Sequence, residues 1–441
     1  MKNIYTSSVE KISGCFKPSK VKKILVAAFI VILSVEVIGT FVNSGNRKFF
    51  VETPKAKGKD VIFNSSIIES YYQQLSSTPF NYLTSFAKKK STSTYRVFLI
   101  GEASLSGWPY SVEHSMQRKL DKLFGSFLKD ENIEVITIST AGFNSSQALD
   151  IIPQVFELNP DLIILYAGHN EFYGYNGYTE ISPKSKSYLI GLTQTIFKKA
   201  GLVNTVKYDK GFDDLEILLP FNSEEQIITA AQKEYAVIRG QFQSNINKII
   251  SICKENKISL ALTALSDNYL LPPIGVQSRK DDVSADIIFN NARMALIRDG
   301  NPNKAIQLFK KSKDADALRL RIPEDFIQDL VQASAQNEVT IANVNAEFVR
   351  HSPDAIPGND LFLDYIHPNC DGLNIIASVY AKVILEKFIE KTKSKNELKP
   401  LLHNAVVSRN DSLLAKERIE RSLALLKQFN NSQQLNELVL K

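Results

Sequence analysis

Tyr95-Arg96-Val97-Phe98-Leu99-Ile100-Gly101-Glu102-Ala103-Ser104 is the stretch on which the fold turns. Its first six residues make an apolar run that stops abruptly at a glycine and opens onto small residues. A continuous run of this length, without polar alternation, reads as a strand buried on both faces. The pattern downstream repeats it. A helical spacing runs to about Leu128, and Glu134–Ser139 forms a second β-branched run. Gly142 and a helix through Phe156 follow, and Pro160 introduces a third run, Asp161–Tyr166, that ends at Gly168. A long amphipathic helix from about Glu224 to Cys253 precedes a fourth strand, Ile258–Leu265. The fifth, Val339–Val344, comes before a loop and a last helix, Gly372–Lys391. Strands that alternate with helices predict a parallel sheet covered on both faces, because parallel neighbours need crossover connections. Ligands of such sheets bind outside the carboxyl ends of the strands.

The chain around this core is long enough, at 441 residues and 44% hydrophobic, for one large domain with insertions. Two segments interrupt the alternation. About 172–223 begins with Phe172-Tyr173-Gly174-Tyr175 and suits a lid or substrate loop. About 267–322 carries Ala292, Ala295, Leu296, Gly300, Ala305, Ile306 and Phe309 at the spacing of a single tetratricopeptide-like hairpin. Ile24–Val42 is nearly all apolar and just long enough to span a bilayer, so residues 24–42 are expected to be a single-pass anchor. Lys17, Lys20, Lys22 and Lys23 favour a cytoplasmic segment at 1–23, although Arg47, Lys48 and Lys55 follow the span. The main domain would then face the periplasm or cell exterior. Residues 43–94 read as a stalk that docks partly on the domain at 95–391, and 392–441 as a charged helical tail without an evident partner.

The net charge of +6 is spread over lysine-rich surface segments, not gathered into an arginine-rich block interleaved with aromatics, which disfavours nucleic acid. Cys15, Cys253 and Cys370 are too few for a disulfide framework, though one bridge between the last two stays open. No His/Cys cluster suggests a metal, and no Gly-rich phosphate loop suggests a nucleotide cofactor.

The informative loops all fall at strand ends. Gly101-Glu102-Ala103-Ser104-Leu105-Ser106-Gly107-Trp108-Pro109-Tyr110 presents backbone N–H groups at the start of a helix. Ala141-Gly142-Phe143-Asn144 offers a bare N–H at Gly142. In Gly168-His169-Asn170-Glu171 the Asn170 amide can donate towards the same point, and convergent donors of this kind suit an oxyanion. Leu361-Phe362-Leu363-Asp364-Tyr365-Ile366-His367-Pro368 sets an aspartate three residues before a histidine, so that the carboxylate can reach one ring nitrogen and leave the other as a general base. His169, His114 and Glu171 read as supporting residues. Arg319 and Arg321 suit either an anionic ligand or pairing along a helix surface.

In this order and at these strand ends, the four loops resemble the SGNH/GDSL hydrolase family over roughly Arg96 to Lys391. Trp108-Pro109-Tyr110, Gly168–Gly174 and Phe362–Asn369 are similar to a membrane-anchored bacterial branch of it. The resemblance implies a three-layer α/β/α, flavodoxin-like parallel sheet and ester hydrolysis without a metal or cofactor. It also implies a serine nucleophile, Asp364 and His367 as its partners, and oxyanion donors from the nucleophile's backbone, Gly142 and Asn170. Glu102, Gly168, Trp108 and Tyr173 are expected near the substrate, a lipid or envelope-carbohydrate acyl or acetyl ester. The nucleophile position, however, is Ala103. Three readings stand side by side: a natural pseudoenzyme that binds a glycan or a protein partner, recruitment of Ser104 or Ser106, or a serine deliberately changed to alanine.

Overall fold

Aromatic and β-branched residues build two sheets. Phe50–Glu52 (β1), Asp60–Phe63 (β2) and Phe86–Ala87 (β3) form a small antiparallel sheet. Thr94–Gly101 (β4), Asn132–Ser139 (β5), Leu162–Tyr166 (β6), Ser259–Ala264 (β7) and Thr340–Asn343 (β8) form the main sheet in the order β5-β4-β6-β7-β8. Every pairing in the main sheet is parallel, with Gly101 opposite both Ser139 and Tyr166. This computed structural model describes residues 48–52, 60–64, 71, 85–127, 132–140, 142–175, 177, 228–275, 284–392 and 408–427. Of the chain's two compact units, the one made of Phe49–Ile181 and Val206–Lys441 holds all of these except Lys48. The expected anchor at 24–42 and the expected insertion beyond Gly177 up to Ile227 lie outside the described residues. Among those described, no helix is long and apolar enough to cross a membrane.

The five strands match the expected runs to within two residues at each end. Val97, Phe98, Leu99 and Ile100 are fully buried because helices cover both faces of β4. Met116–Phe127 (α1), Val344–His351 (α7) and Cys370–Thr392 (α8) pack together on one side. Ser145–Val155 (α2), Lys233–Glu255 (α3) and Glu324–Asn337 (α6) pack on the other. The layers are therefore α/β/α. Helix α8 is apolar around most of its circumference, as expected of a helix enclosed on several sides. It begins two residues earlier than its hydrophobic pattern suggests, since the Asn369 side chain accepts the Gly372 N–H at 3.0 Å and caps it. Helix α6 is absent from the sequence reading. Its start is written in Pro323 followed by Glu324 and Asp325, acids that favour a first turn.

The insertion contributes a hairpin, Ala285–Ile297 (α4) and Pro302–Ala315 (α5), with its own small core of Phe289, Ala292, Ala295, Ala305 and Phe309 closed by Tyr269 and Ile356. Small residues let the two helices approach, and the Phe289 and Phe309 rings meet edge to face at 5.4 Å. The tail supplies Arg409–Lys427 (α9), and it has a partner within the chain. Ala415 and Ile419 are buried, and Arg418 stacks over Trp108 at 4.3 Å while donating to the carbonyls of Pro109 and Tyr110 at 2.7 and 3.1 Å.

The amino end of the sheet is closed by charge. Arg96, 1% exposed, pairs with Glu134 at 2.6 Å and donates to the carbonyls of Leu158 and Ala87, each at 2.8 Å. Asp161 accepts the Arg96 N–H at 2.6 Å and pairs with Lys90 at 2.5 Å and with Lys391. Burial pushes the Asp161 carboxyl up, but the two lysines and the N–H outweigh it and hold it below the usual carboxylate range. The pieces of residues 43–94 that are described lie against this end. Phe86 meets Phe98, the Phe49 N–H reaches Gln154 at 3.0 Å, and Tyr71 reaches Asp150 at 3.1 Å.

Candidate active site

The loop between Gly358 and Asn369 doubles back on itself, with Phe362 bridged to Pro368 and the Leu363 N–H donating to the His367 carbonyl at 2.9 Å. Inside it, Asp364 Oδ2 lies 2.7 Å from His367 Nδ1, while Oδ1 accepts the N–H groups of Ile366 and His367 at 2.9 and 2.7 Å. Both side chains are 1% exposed. Burial works against the Asp364 carboxylate, yet His367 and the backbone donors hold its pKa below the ordinary value. An ionised Asp364 selects the tautomer with the proton on Nδ1 and the lone pair on Nε2.

A residue that the sequence did not mark fixes this loop from outside. Asn268, just after β7, donates its N–H to the Tyr365 carbonyl at 3.0 Å, and its amide donates to the Asp364 carbonyl at 3.1 Å. Arg321 in turn donates to the Asn268 carbonyl at 3.0 Å, pairs with Asp316 at 3.4 Å and lies over the Tyr365 ring. Arg319 donates to the carbonyls of Ile228 and Asp314 at 2.7 and 3.0 Å. Both arginines are buried in a non-helical segment between α5 and α6, so helix-surface pairing does not describe them.

At the end of β4, Glu102 braces three strand ends. Its N–H donates to the Tyr166 carbonyl at 3.1 Å and its own carbonyl accepts the Ser139 hydroxyl at 2.7 Å. Its carboxylate accepts the N–H groups of Gly168 and His169 at 2.8 and 2.9 Å. The carboxylate is therefore spent inside the protein. Ala103–Ser106 follows as a 3₁₀ turn, closed by Gly107 in the left-handed region at φ 85°. The Ala103 methyl is fully buried. In such a turn successive side chains diverge by about 120°, which aims Ser104 away from the direction of residue 103. Ser106 returns to that side, but its hydroxyl donates to the Ala103 carbonyl at 2.7 Å.

The second and third loops are joined through Asn170. Its buried amide donates to the Phe143 carbonyl at 3.1 Å and has a second N–H to give. Gly142 takes φ 66°, a left-handed turn that starts the α2 cap, where Asn144 and Gln147 exchange hydrogen bonds at 3.2 Å. Gly168 is held to glycine by packing, because a Cβ there would lie 2.3 Å from Ile322 Cδ1. Trp108 is buried beneath Arg418, and the Tyr173 hydroxyl accepts the Arg319 N–H at 3.1 Å. Thus Glu102, Trp108 and Tyr173 stand in internal contacts.

His169 accepts the Ile322 N–H at Nδ1. Burial first, then Lys313 and His367, push it down to about 3, so it is neutral and senses the Asp364–His367 loop. Glu171 accepts the N–H and hydroxyl of Ser145 at 2.8 and 2.7 Å, and burial lifts it to about 7. Lys313 pairs with Asp267 at 2.9 Å and Glu324 at 2.6 Å, which ties the helical hairpin to this end of the sheet. Among the described residues, no group of three or more His, Cys, Asp or Glu side chains is placed to hold a metal.

No family model and no curated protein matches the chain. Several solved structures overlay on it. A GDSL-like lipase from Bacteroides thetaiotaomicron does so at 14% identity and TM-score 0.33, over 66% of this chain and 88% of that one. A psychrotrophic esterase from Pseudoalteromonas does so at 12% identity and TM-score 0.33, over 67% and 98%. An acetylxylan esterase from Geobacillus stearothermophilus gives 10% identity and TM-score 0.34, over 66% and 94%. What the site can do is set by its own geometry: a carboxylate hydrogen-bonded to an imidazole, turned glycines and a side-chain amide.

Proposed function

We propose that this chain is an SGNH-type ester hydrolase domain, anchored by residues 24–42 with its main body outside the cytoplasm, whose nucleophile position is held by Ala103. The observation that carries the reading is the buried Asp364–His367 pair at 2.7 Å, with the second carboxylate oxygen fixed by two backbone donors. A carboxylate so held keeps an imidazole ready to take a proton. With serine at 103, His367 Nε2 would accept the hydroxyl proton as Oγ attacks the ester carbonyl. The backbone N–H of residue 103, the Gly142 N–H and the Asn170 amide would receive the oxyanion. Collapse gives an acyl-enzyme and an alcohol, and water deprotonated by His367 releases the acid. Acyl transfer to a sugar hydroxyl in place of water uses the same groups. Alanine stops the first step, so the chain as it stands binds without turnover. The substrate class is an acyl or acetyl ester of a lipid or envelope carbohydrate.

Ser104 and Ser106 are poor substitutes, one aimed away and the other donating to the Ala103 carbonyl. Hydrolysis of a short-chain chromogenic ester tests this. The full chain and its Ala103→Ser, His367→Ala double variant should be inert, and Ala103→Ser alone active. Activity in the unmodified chain that Ser104→Ala removes would overturn the register. An inert but folded Ala103→Ser protein would leave a binding or scaffold domain for a glycan or protein partner as the better account.

A further inference from the structure

Cys370 is the first residue of α8, beside Asp371 and the Tyr110 hydroxyl, and three other segments bring titratable groups towards it. From the turn Val112–His114, His114 Nδ1 lies 3.7 Å from Cys370 Sγ. From α9, Asp411 Oδ2 lies 3.5 Å from His114 Nε2. From α1, Lys119 Nζ lies 3.9 Å from the same sulfur and donates to Asn374 Oδ1 at 2.6 Å. The order thiol, imidazole, carboxylate is that of a nucleophile with its base and the group that orients the base. It is assembled from residues more than 250 positions apart in the chain, as the separation of 256 between Cys370 and His114 shows. Cys253 offers an internal contrast. It is also a buried cysteine outside any disulfide, but burial is the single influence on its thiol, which is pushed up to about 12.

We propose that Cys370, His114 and Asp411 form a second reactive centre, a base-activated thiol that takes up a low-molecular-weight disulfide as a mixed disulfide. In the step, the Cys370 S–H proton passes to His114 Nδ1 while the sulfur attacks one sulfur of R–S–S–R. The S–S bond of the reagent breaks, the Cys370–S–S–R bond forms, and the departing thiolate takes the proton from His114 to leave as R–S–H. No other oxidant is consumed. Asp411 fixes the His114 tautomer with the proton on Nε2, and the Lys119 ammonium with the α8 N-terminus steadies charge developing on sulfur.

The protonation states fit this course. Burial, then Lys119, lowers the pKa of His114, so it is neutral and able to accept at pH 7. Burial raises the Cys370 thiol against the pull of Lys119, so the resting sulfur is protonated and its proton must leave during attack. The Asp411 carboxyl is held low by Ser111, with Ser408 and His114 adding to it. Cys370 is 6% exposed, which limits the reagent to small molecules. The centre does not depend on what occupies residue 103.

The test uses the full chain, bis(hydroxyethyl) disulfide at pH 7, and peptide mass mapping of adduct formation at each cysteine. Cys370 should react about a hundredfold faster than Cys253. His114→Gln should slow Cys370 about a hundredfold, at the lower end of general-base effects, and Asp411→Asn several-fold, with the Cys253 rate unchanged in both. A Cys370 rate no faster than that of Cys253 overturns the proposal, as does a rate that neither variant alters. Should His114→Gln also speed Cys253, the fold has opened. Asp411→Asn, on the outer helix, then decides alone: a slowed Cys370 supports the centre and an unchanged one refutes it.

Discussion

At the amino end of the parallel sheet, Arg96 and Asp161 are buried with every direction answered: Glu134, two carbonyls, a backbone N–H and two lysines. At the carboxyl end the buried polar groups are more numerous and not all are matched. Asn170 Oδ1, Ser266 Oγ and Asp267 Oδ1 have no hydrogen-bond partner among the described residues. Desolvated polar atoms are costly unless paired, so a fully answered end is what stability alone would build. An end that leaves polar atoms over gives up stability that pairing would supply. The sheet thus has a closed clamp at one end and unpaired polar atoms at the other.

Substitutions at the two ends should fail in different ways. The largest effect is expected from Asp364→Asn in the Ala103→Ser background. Loss of the charge that sets the His367 tautomer should cut kcat of the folded fraction about 10⁴-fold, with a loss of urea stability smaller than that of the Arg96 substitution, because the depressed pKa of Asp364 also favours the fold. A comparable loss of stability would make Asp364 part of a second clamp and erase the contrast. Arg96→Met should do the reverse, costing about 1–3 kcal/mol in urea unfolding because it leaves the buried Leu158 carbonyl without its donor and removes the partners of Glu134 and the Ala87 carbonyl. In the Ala103→Ser background, ester turnover by the folded fraction should be preserved.

The pH dependence of stability sharpens the comparison, because Asp161 at one end and Glu171 at the other should respond with opposite sign. Asp161 has a depressed pKa in the fold, so it contributes stability above its unfolded value that is lost as pH falls through the folded one. Asp161→Asn should flatten the acid limb of the stability curve. Glu171 is lifted from 4.5 to about 7. The folded state then binds the extra proton between those values, and stability should decline as pH rises across that window, by on the order of 3 kcal/mol. Glu171→Gln should remove the decline in chemical denaturation measured from pH 4.5 to 7.5. Smallest is Gly168→Ala. The new methyl meets the flexible tip of Ile322, so a loss of roughly 1–3 kcal/mol is expected from thermal unfolding.

Much of this was legible in residue order. Apolar and β-branched runs placed all five strands of the main sheet, most plainly β4 and β6, which are buried along nearly their whole length and stop at Gly101 and Gly168. The Asp-x-x-His spacing announced a contact that closes within four residues. What stayed hidden is long-range. Asn268 and Arg321 brace the Asp364 loop from separations that no local pattern encodes. The partner of α9 is a tryptophan about three hundred residues earlier. Glu102 reads like a residue pointed at a ligand, and only the backbone course of the third loop shows its carboxylate turned inward. Helix α6 was missed for another reason: its acidic start follows an arginine-rich, extended segment that masks where periodicity begins.

The position of Glu102 bears on how such a chain would change over generations. It ties the ends of three strands together immediately before residue 103, so its loss would be felt as misfolding whether or not the chain turns anything over. The third loop, which carries Asn170, is therefore held by a contact that folding itself requires. A lineage that exchanged the neighbouring serine for alanine would keep the arrangement of the whole site without using it. The way back would be a single oxygen atom.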